Sequence, residues 1–388
     1  MEKQAKQRFE TLDGMRGIAA IFIMLFHYNI QNGYRFFFNA FTAVDFFFIL
    51  SGFVILHSYG DKLASGMANS DYFARRIARL LPLSMVGVIL GVPAFLLMQK
   101  TSQTDFSEPA IWAAALSNMF FIPAFNNNWF MLDGAKIVGQ LFPTDGPLWS
   151  IFFEFFASFV FIFFNRLGNK MLSVCCILFL LDIVIFSLWN GHVVGNRLFD
   201  FDAGWGMKNF IGGFSRVCFG FTCGMVIYRL IQAKKSLSTS TNSRGWNPLI
   251  IYLCLVLLLA FPFYLKGFYS IIEISFLAPL LIFHGAQAQI SGKVLAKLSS
   301  ALGTLSFPIY CLHYPVMLSV KSLQFLSPHF AISNRIAVFV AVSVTFLLSY
   351  LATELIARLH IQQNATRMLN GLFAKVLSHW TLVKMQSR

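Results

Sequence analysis

Residues 8–28 read RFETLDGMRGIAAIFIMLFHY, an apolar run that opens behind Arg8, Asp13 and Arg16 and closes beside His27. An ionisable side chain inside a bilayer is costly, and by default it is a sign of function. Arg16 and His27 lie eleven positions apart. That is close to three α-helical turns, so both fall on one face, about 16 Å apart along the axis. One stripe of the first helix then carries a fixed cation near one surface and an imidazole deep in the membrane. A neutral imidazole can take a proton from a hydroxyl and return it, which is general-base chemistry. The plainer reading of His27 is a buried histidine bonded to a neighbouring helix. For Asp13 it is a carboxylate in the first turn of a helix.

Beyond this stretch the composition is that of a membrane protein: of 388 residues, 57% are hydrophobic and only 12% charged. Segments near the ~20 residues a span requires fall at 14–33, 41–60, 80–98, 147–165, 171–189, 208–230, 248–265, 269–286, 301–320 and 335–357. The expectation is an all-α integral membrane protein of about ten transmembrane helices. Placing the N-terminus in the cytoplasm puts 21 of the 30 Lys and Arg on inside segments, which predicts that both termini are cytoplasmic. The net charge of +14 is then a positive-inside signature. No basic cluster with interleaved aromatics marks a nucleic-acid surface. The six cysteines sit in apolar runs without metal-ligand spacing. Basic residues precede the first apolar run, but no small-x-small cleavage site follows, so this segment is expected to be retained.

Two domains are expected, a membrane unit over 1–358 and a basic cytoplasmic tail over 359–388 that lies along the membrane surface. Segment 99–146 is long for a connection. Its apolar part, 111–125, is read as a surface or re-entrant piece on the outer side, because a crossing there would turn the later basic loops outward. Loop 232–247, rich in Ser, Thr and Asn, reads as a flexible linker.

Five further patterns carry polar groups into apolar surroundings. In VDFFFILSGF (44–53), Asp45 either balances His27 from the adjacent helix or caps the second helix. In DYFARRIARLLP (71–82), Arg75, Arg76 and Arg79 are either plain inside anchors or a phosphate clamp, Arg76 and Arg79 sharing a helix face at i,i+3. In GPLWSIFFEFF (146–156), Glu154 needs a partner, with Arg16, Arg216 and His27 the internal options, while Trp149 suits a membrane interface. Arg216, in FSRVCFGF, is a second intramembrane charge. In LGTLSFPIYCLHYP (302–315), Ser306, Tyr310 and His313 share one helix face, and Pro308 loosens the helix. No Gly-rich phosphate loop, hydrolase elbow or metal-ligand cluster is present.

Taken in order, these motifs resemble the acyltransferase-3 family of integral-membrane O-acyltransferases. The likeness runs through Arg8, Asp13 and Arg16, then His27, then Val44 to Phe53, then Arg76, Arg79 and Pro82. It continues with Trp149, Ser150 and Glu154, and ends with Tyr310 and His313, so that it covers the chain from Arg8 to about Glu354. The resemblance implies an enzyme of the cell inner (cytoplasmic) membrane that takes an acyl group, usually acetyl, from acyl-CoA. The acyl group passes to a sugar hydroxyl of an envelope or exported polysaccharide or of its lipid-linked precursor. It implies an essential role for Arg16 and His27 and a donor role for Arg76 and Arg79. Asp13, Asp45 and Glu154 are the remaining candidates for the chemistry. Arg75 is added on the donor side, and Trp149, Ser150, Arg216, Ser306, Tyr310 and His313 as substrate or structural support. Acyl-CoA (acetyl-CoA) is a co-substrate, and no bound cofactor or metal is implied. Ile151 stands where Leu is usual, and the Pro common after the last carboxylate is missing after Glu354. No stretch reads as a soluble domain, so acceptor handling is expected in the membrane core and outer loops.

Two other classes compete. A transporter or flippase of a lipid-linked or anionic substrate also explains buried charges and many spans, but it often shows internal repeats and matched broken helices, and neither is seen. An assembly partner in a polysaccharide export complex would tolerate Ala at both His27 and Arg16.

Overall fold

The computed structural model describes residues 8–31, 37–132, 135–195, 198–237, 246–261, 267–326 and 334–386. The middle of the expected linker, 238–245, lies outside these, as do Lys3, Lys6, Arg244, Arg388 and the last residues of the segments 14–33 and 248–265.

Each expected span is a helix. In order they are α1 (Glu10–Gln31), α2 (Ala43–Ala64), α3 (Asn69–Lys100), α5 (Leu148–Phe164), α6 (Asn169–Gly195), α7 (Gly212–Leu237) and α8 (Pro248–Ala260). Next comes a composite helix in which α9 (Phe268–Ile272) runs through a π turn (Glu273–Leu277) into α10 (Ala278–Gly285). α11 (Lys293–Leu326) and α12 (Asn334–Arg358) complete the set. Among the described residues, seven helices are long and apolar enough to cross a membrane by length and composition, and α5 and α8 are shorter apolar helices. α1 has the length, 22 residues, but carries Glu10, Asp13 and Arg16 in its first two turns.

Close helix packing sets the architecture, and small residues permit it. α1 lies along α11, with Gly17 against Leu302 and Gly303 against Asp13. α2 lies along α7 in the same manner: Gly52 meets the Phe221 carbonyl and Gly224 meets the Ile49 carbonyl, so neither position has room for a Cβ. α3 packs on the other side of α11. α6 and α12 form the rim, presenting Ile177, Leu181, Ile185, Phe339, Leu347 and Leu351 outward, where hydrocarbon rather than water is the fitting solvent.

The long connection between α3 and α5 takes, of the two forms expected for its apolar part, the surface one. Its apolar part forms α4 (Glu108–Met119). Twelve residues give about 18 Å, too short for the ~30 Å hydrocarbon core. α4 packs on α3 and leaves Trp112, Leu116 and Phe120 exposed, as an interfacial helix does. The piece that enters the protein is instead the stretch after it: Thr144 and Asp145 are fully buried, seated against Gly91 and Gly87 of α3. Irregular backbone at this depth is tolerated because protein, not lipid, surrounds it. Between the two lies an antiparallel hairpin, β1 (Trp129–Leu132) with β2 (Ala135–Val138), Trp129 opposite Val138. The fold is therefore helical with one small hairpin. The tail is a single helix, α13 (Ile361–Gln386), and it packs against α3.

Candidate active site

The stripe on α1 is read by one face of α11. Arg16 donates from Nε to Ser306 Oγ (2.9 Å) and from Nη2 to the Gly303 carbonyl (2.8 Å). Asp13 stands between two cations: Arg8 Nε is 2.9 Å and Arg16 Nη2 3.4 Å from its oxygens. Further along the same helix pair, His313 Nε2 lies 3.1 Å from His27 Nδ1. His27 Nδ1 is also 3.0 Å from the Ile23 carbonyl, and His313 Nδ1 is 2.9 Å from the Ile309 carbonyl. A carbonyl only accepts, so each Nδ1 carries a proton. His27 then shares its N–H between Ile23 and the lone pair of His313 Nε2. The Nε2 of His27 keeps its own lone pair and has no hydrogen bond among the described residues. The arrangement is that of a base whose tautomer is fixed from behind.

The other charges pair differently from the sequence expectation. Glu154 accepts from Arg76 Nη2 (2.7 Å) and from Ser51 Oγ (3.0 Å), so its partner is Arg76 rather than Arg16, Arg216 or His27. Arg76 also donates from Nε to Ser158 Oγ at 3.0 Å and is buried. Arg79, one turn on, has no hydrogen bond or ion pair among the described residues. Arg75 is exposed and borders none of the cavities that Arg79 borders. The expected clamp of three arginines thus resolves into a tied residue, an open one and one facing away. Asp45 does not touch His27. It takes a bidentate pair from Arg216, Nε to Oδ1 at 3.0 Å and Nη2 to Oδ2 at 2.7 Å. Arg216 also donates to the Ala203 carbonyl at 2.6 Å and lies over the rings of Phe201 and Trp149, 4.7 and 5.1 Å from their centroids. Trp149 is accordingly buried, not an interface anchor. Glu354 pairs with Arg358, 3.4 Å away.

Two groups of cavities meet at the centre. Arg16 and Arg79 together border three of them, of ≈ 90, 460 and 430 Å³. His27 borders a fourth, ≈ 220 Å³, with Gln140, Trp149, Asp202, Trp205 and Tyr314. Val44 and Tyr310 border both the 90 Å³ arginine-side cavity and the histidine-side one, so the wall between the two ends is one side chain thick there. Tyr310 is held in that wall by Ser150, whose Oγ lies 2.5 Å from its hydroxyl. Arg16 does not border the His27 cavity. Sequence reasoning missed Gln140 and Tyr314, which are hydrogen-bonded to each other at 3.3 Å, and Ser158. A lone Gln, Tyr or Ser has no spacing that marks it.

Comparison with known proteins identifies the family. The acyltransferase-3 family model, described as "Acyltransferase domain", matches residues 9–354; the chain belongs to that family. "Protein 2 in picA locus" of Rhizobium radiobacter is 36% identical over 163 residues, covering 40% of this chain and 81% of that protein. Peptidoglycan O-acetyltransferase OatA of Listeria monocytogenes is 24% identical over 385 residues, 89% of this chain and 55% of its own length. A putative peptidoglycan O-acetyltransferase, YrhL of Bacillus subtilis, is 28% identical over 152 residues, 37% of this chain and 21% of its own. The chain thus spans about half of the Listeria protein and a fifth of the Bacillus one. No solved structure matches the chain.

Proposed function

We propose that this acyltransferase moves an acyl group, acetyl in the simplest case, from acyl-CoA to a sugar hydroxyl of a cell-envelope or exported glycan or its lipid-linked precursor. In this reading it is a multi-pass protein of the cytoplasmic membrane, with both termini and the Arg8–Arg16–Arg79 end in the cytoplasm. The observation that carries the reading is the division of one site between two ends. An open guanidinium, Arg79, borders cavities at one end, a histidine with a free lone pair lines a cavity at the other, and Val44 and Tyr310 line both the smallest of the arginine-side cavities and the histidine-side one.

The chemistry follows from the residues. Coenzyme A is polyanionic, and Arg79, Arg16, Arg8 and Lys62 border the cavities that would receive its phosphates. Arg76 and Glu154 neutralise each other and shape the wall. The thioester end would reach the partition at Tyr310. His27 Nε2 takes the proton of the sugar hydroxyl, whose oxygen attacks the thioester carbonyl. The C–O bond forms, the C–S bond breaks, and the proton passes from His27 to the departing thiolate. His313 acts on this step by holding His27 in the tautomer that leaves Nε2 open. A covalent acyl-histidine would use the same nitrogen as nucleophile. The peptidoglycan named in two relatives is one glycan of the class proposed.

The test is transfer of radiolabel from acetyl-CoA into base-labile glycan esters in purified membranes. Wild type is expected to label, His27→Ala to lose ~10²–10⁴-fold, and Arg79→Ala to demand more donor for the same rate. Full labelling by an inserted His27→Ala protein refutes the assignment. A wild type that transfers nothing, but moves a lipid-linked glycan across the membrane, points to the flippase class instead.

A further inference from the structure

The two larger cavities on the arginine side differ in chemistry. One, ≈ 430 Å³, lies among α1, α2 and α3 and is bordered by Arg8, Arg16, Lys62 and Arg79, with His57, against the single carboxylate of Asp13. The other, ≈ 460 Å³, lies among α3, α11, α12 and α13. Apart from the shared Arg16 and Arg79 it has no fixed charge on its walls. Its polar groups are Thr304, Thr353, His360, Gln362 and Gln363, and Phe307 supplies an aromatic face. Arg79 stands where the two meet.

The α12–α13 corner builds this second cavity. His360 takes a left-handed backbone, φ 49°, which turns the chain back after α12. α13 then runs against α3, and Asn370 Nδ2 donates to Asp71 Oδ1 at 2.6 Å. The start of the tail helix is thereby a wall of the opening, and the amide groups of Gln362 and Gln363 hold no hydrogen bond among the described residues.

The first cavity, with four basic side chains, suits phosphates, whereas the second, lined away from Arg16 and Arg79 by amides, hydroxyls and rings, suits an uncharged planar base. A carboxamide offers one donor and one acceptor side by side, the complement of adenine N7 and N6, and His360 and Phe307 offer faces for stacking. Because Arg79 borders both cavities, a nucleotide whose phosphates meet it can extend its base into the second one. We propose that the cavity between α3 and α13 is the seat of the adenine of the acyl-CoA donor, and that Gln362 and Gln363 recognise that base. This rests on the acyl-CoA reading above and extends it to a part of the chain that the family match, ending at residue 354, does not reach.

The experiment is equilibrium binding of tritiated acetyl-CoA to the full-length protein in lipid nanodiscs. The unlabelled competitors are adenosine 3′,5′-bisphosphate, which has the base but no pantetheine, and S-acetyl-4′-phosphopantetheine, which has a phosphate and the thioester but no base. The Gln362→Ala/Gln363→Ala double variant is expected to bind acetyl-CoA at least tenfold more weakly. It should lose competition by the adenosine bisphosphate while keeping wild-type competition by the acetylphosphopantetheine. Lys62→Gln, in the cationic cavity, should weaken both competitors. An unchanged acetyl-CoA affinity in the double variant overturns the adenine seat, and so does an equal loss for both competitors, which would mean that α13 only supports the fold. Displacement of the label by anionic lipid alone, with no response to the adenosine bisphosphate, makes the cavity a headgroup site and overturns it as well. A wild type that binds no acetyl-CoA overturns the donor reading, and the seat falls with it; failure of the seat alone leaves wild-type binding intact.

Discussion

Asp45→Asn removes the bidentate carboxylate from a guanidinium that is as buried as its partner, each side chain being 2% exposed, and leaves Arg216 only the longer ion pair to Asp202 at 3.8 Å among the described residues. Arg216 then keeps the Ala203 carbonyl and the faces of Trp149 and Phe201, but the bidentate carboxylate becomes a neutral amide. Two charge-assisted hydrogen bonds, at about 1.5–3 kcal/mol each, and the general cost of breaking a buried pair, about 3–5 kcal/mol, agree on a loss near 4 kcal/mol. In a chain of this size that lowers the thermal midpoint by roughly 5 °C or more. Arg216→Gln leaves Asp45 uncompensated and should cost a similar amount. The Asp45→Asn/Arg216→Gln double variant exchanges the ion pair for an amide pair and should recover at least half of the loss. The assay is the midpoint of fluorescence-detected size-exclusion melting in one detergent, beside acyl transfer in membranes. Activity should follow the surviving folded fraction. A single variant that melts like wild type but transfers nothing would refute this reasoning and return Asp45 to the chemistry. Single losses that simply add in the double variant would refute the pairing.

His313→Ala removes the lone pair that receives His27 Nδ1–H, while the Ile23 carbonyl still accepts that proton. The expected loss is about tenfold to a hundredfold in turnover, smaller than for His27→Ala, with the apparent KM for donor unchanged. His313→Gln, which keeps an acceptor, should recover part of it, and a loss as deep as that of His27→Ala would make His313 a direct participant. Asp145 has both carboxyl oxygens buried without a partner among the described residues, and burial alone pushes this group well above the usual carboxylate range. A carboxyl raised in the folded state holds a proton that the unfolded chain releases above about pH 4, so its cost to stability grows as pH rises from there. Asp145→Asn should therefore raise the melting midpoint at pH 7, by about 1–3 kcal/mol of stability, with the gain vanishing towards pH 4. A variant less stable than wild type at pH 7 would show a hidden partner for the carboxylate.

The positions of the spans were legible because burial in hydrocarbon needs uninterrupted apolar length, and each run of suitable length became a helix. The facing of α1 and α11 was half legible. Arg16 with His27, and Ser306 with His313, each share a face by spacing, and the structure joins them as Arg16–Ser306 and His27–His313. What spacing within a helix cannot supply is the register between helices. Glu154 with Arg76, and Asp45 with Arg216, are each drawn from segments far apart in the chain, and several cations were equally eligible on paper. The hairpin had a signal that went unread, Asp133-Gly134 between two short runs, a pattern that favours tight hairpins. The buried course of Thr144 and Asp145 had none, since it depends on Gly87 and Gly91 leaving room on another helix.

The arginines of the Arg-x-x-Arg pattern show how residues that a motif treats alike can have different surroundings. Three positions apart, Arg76 and Arg79 leave α3 on neighbouring turns of one face, and from sequence they are equivalent. Their surroundings are not. Arg76 points where α5 closes over it, and a guanidinium that is 2% exposed persists only if paired; Glu154, Ser158 and, through Glu154, Ser51 supply the partners. Arg79 opens onto space shared with Arg16, where water can solvate it and no carboxylate is required. An unpaired cation in such a place keeps its charge at little cost, and an arriving phosphate has only water to displace. Each carboxylate near this opening is already taken, Asp13 by Arg8 and Arg16 and Glu154 by Arg76. The net positive charge that remains is carried at the mouth, where an anionic donor would enter, and not in the core, where it would have to be neutralised.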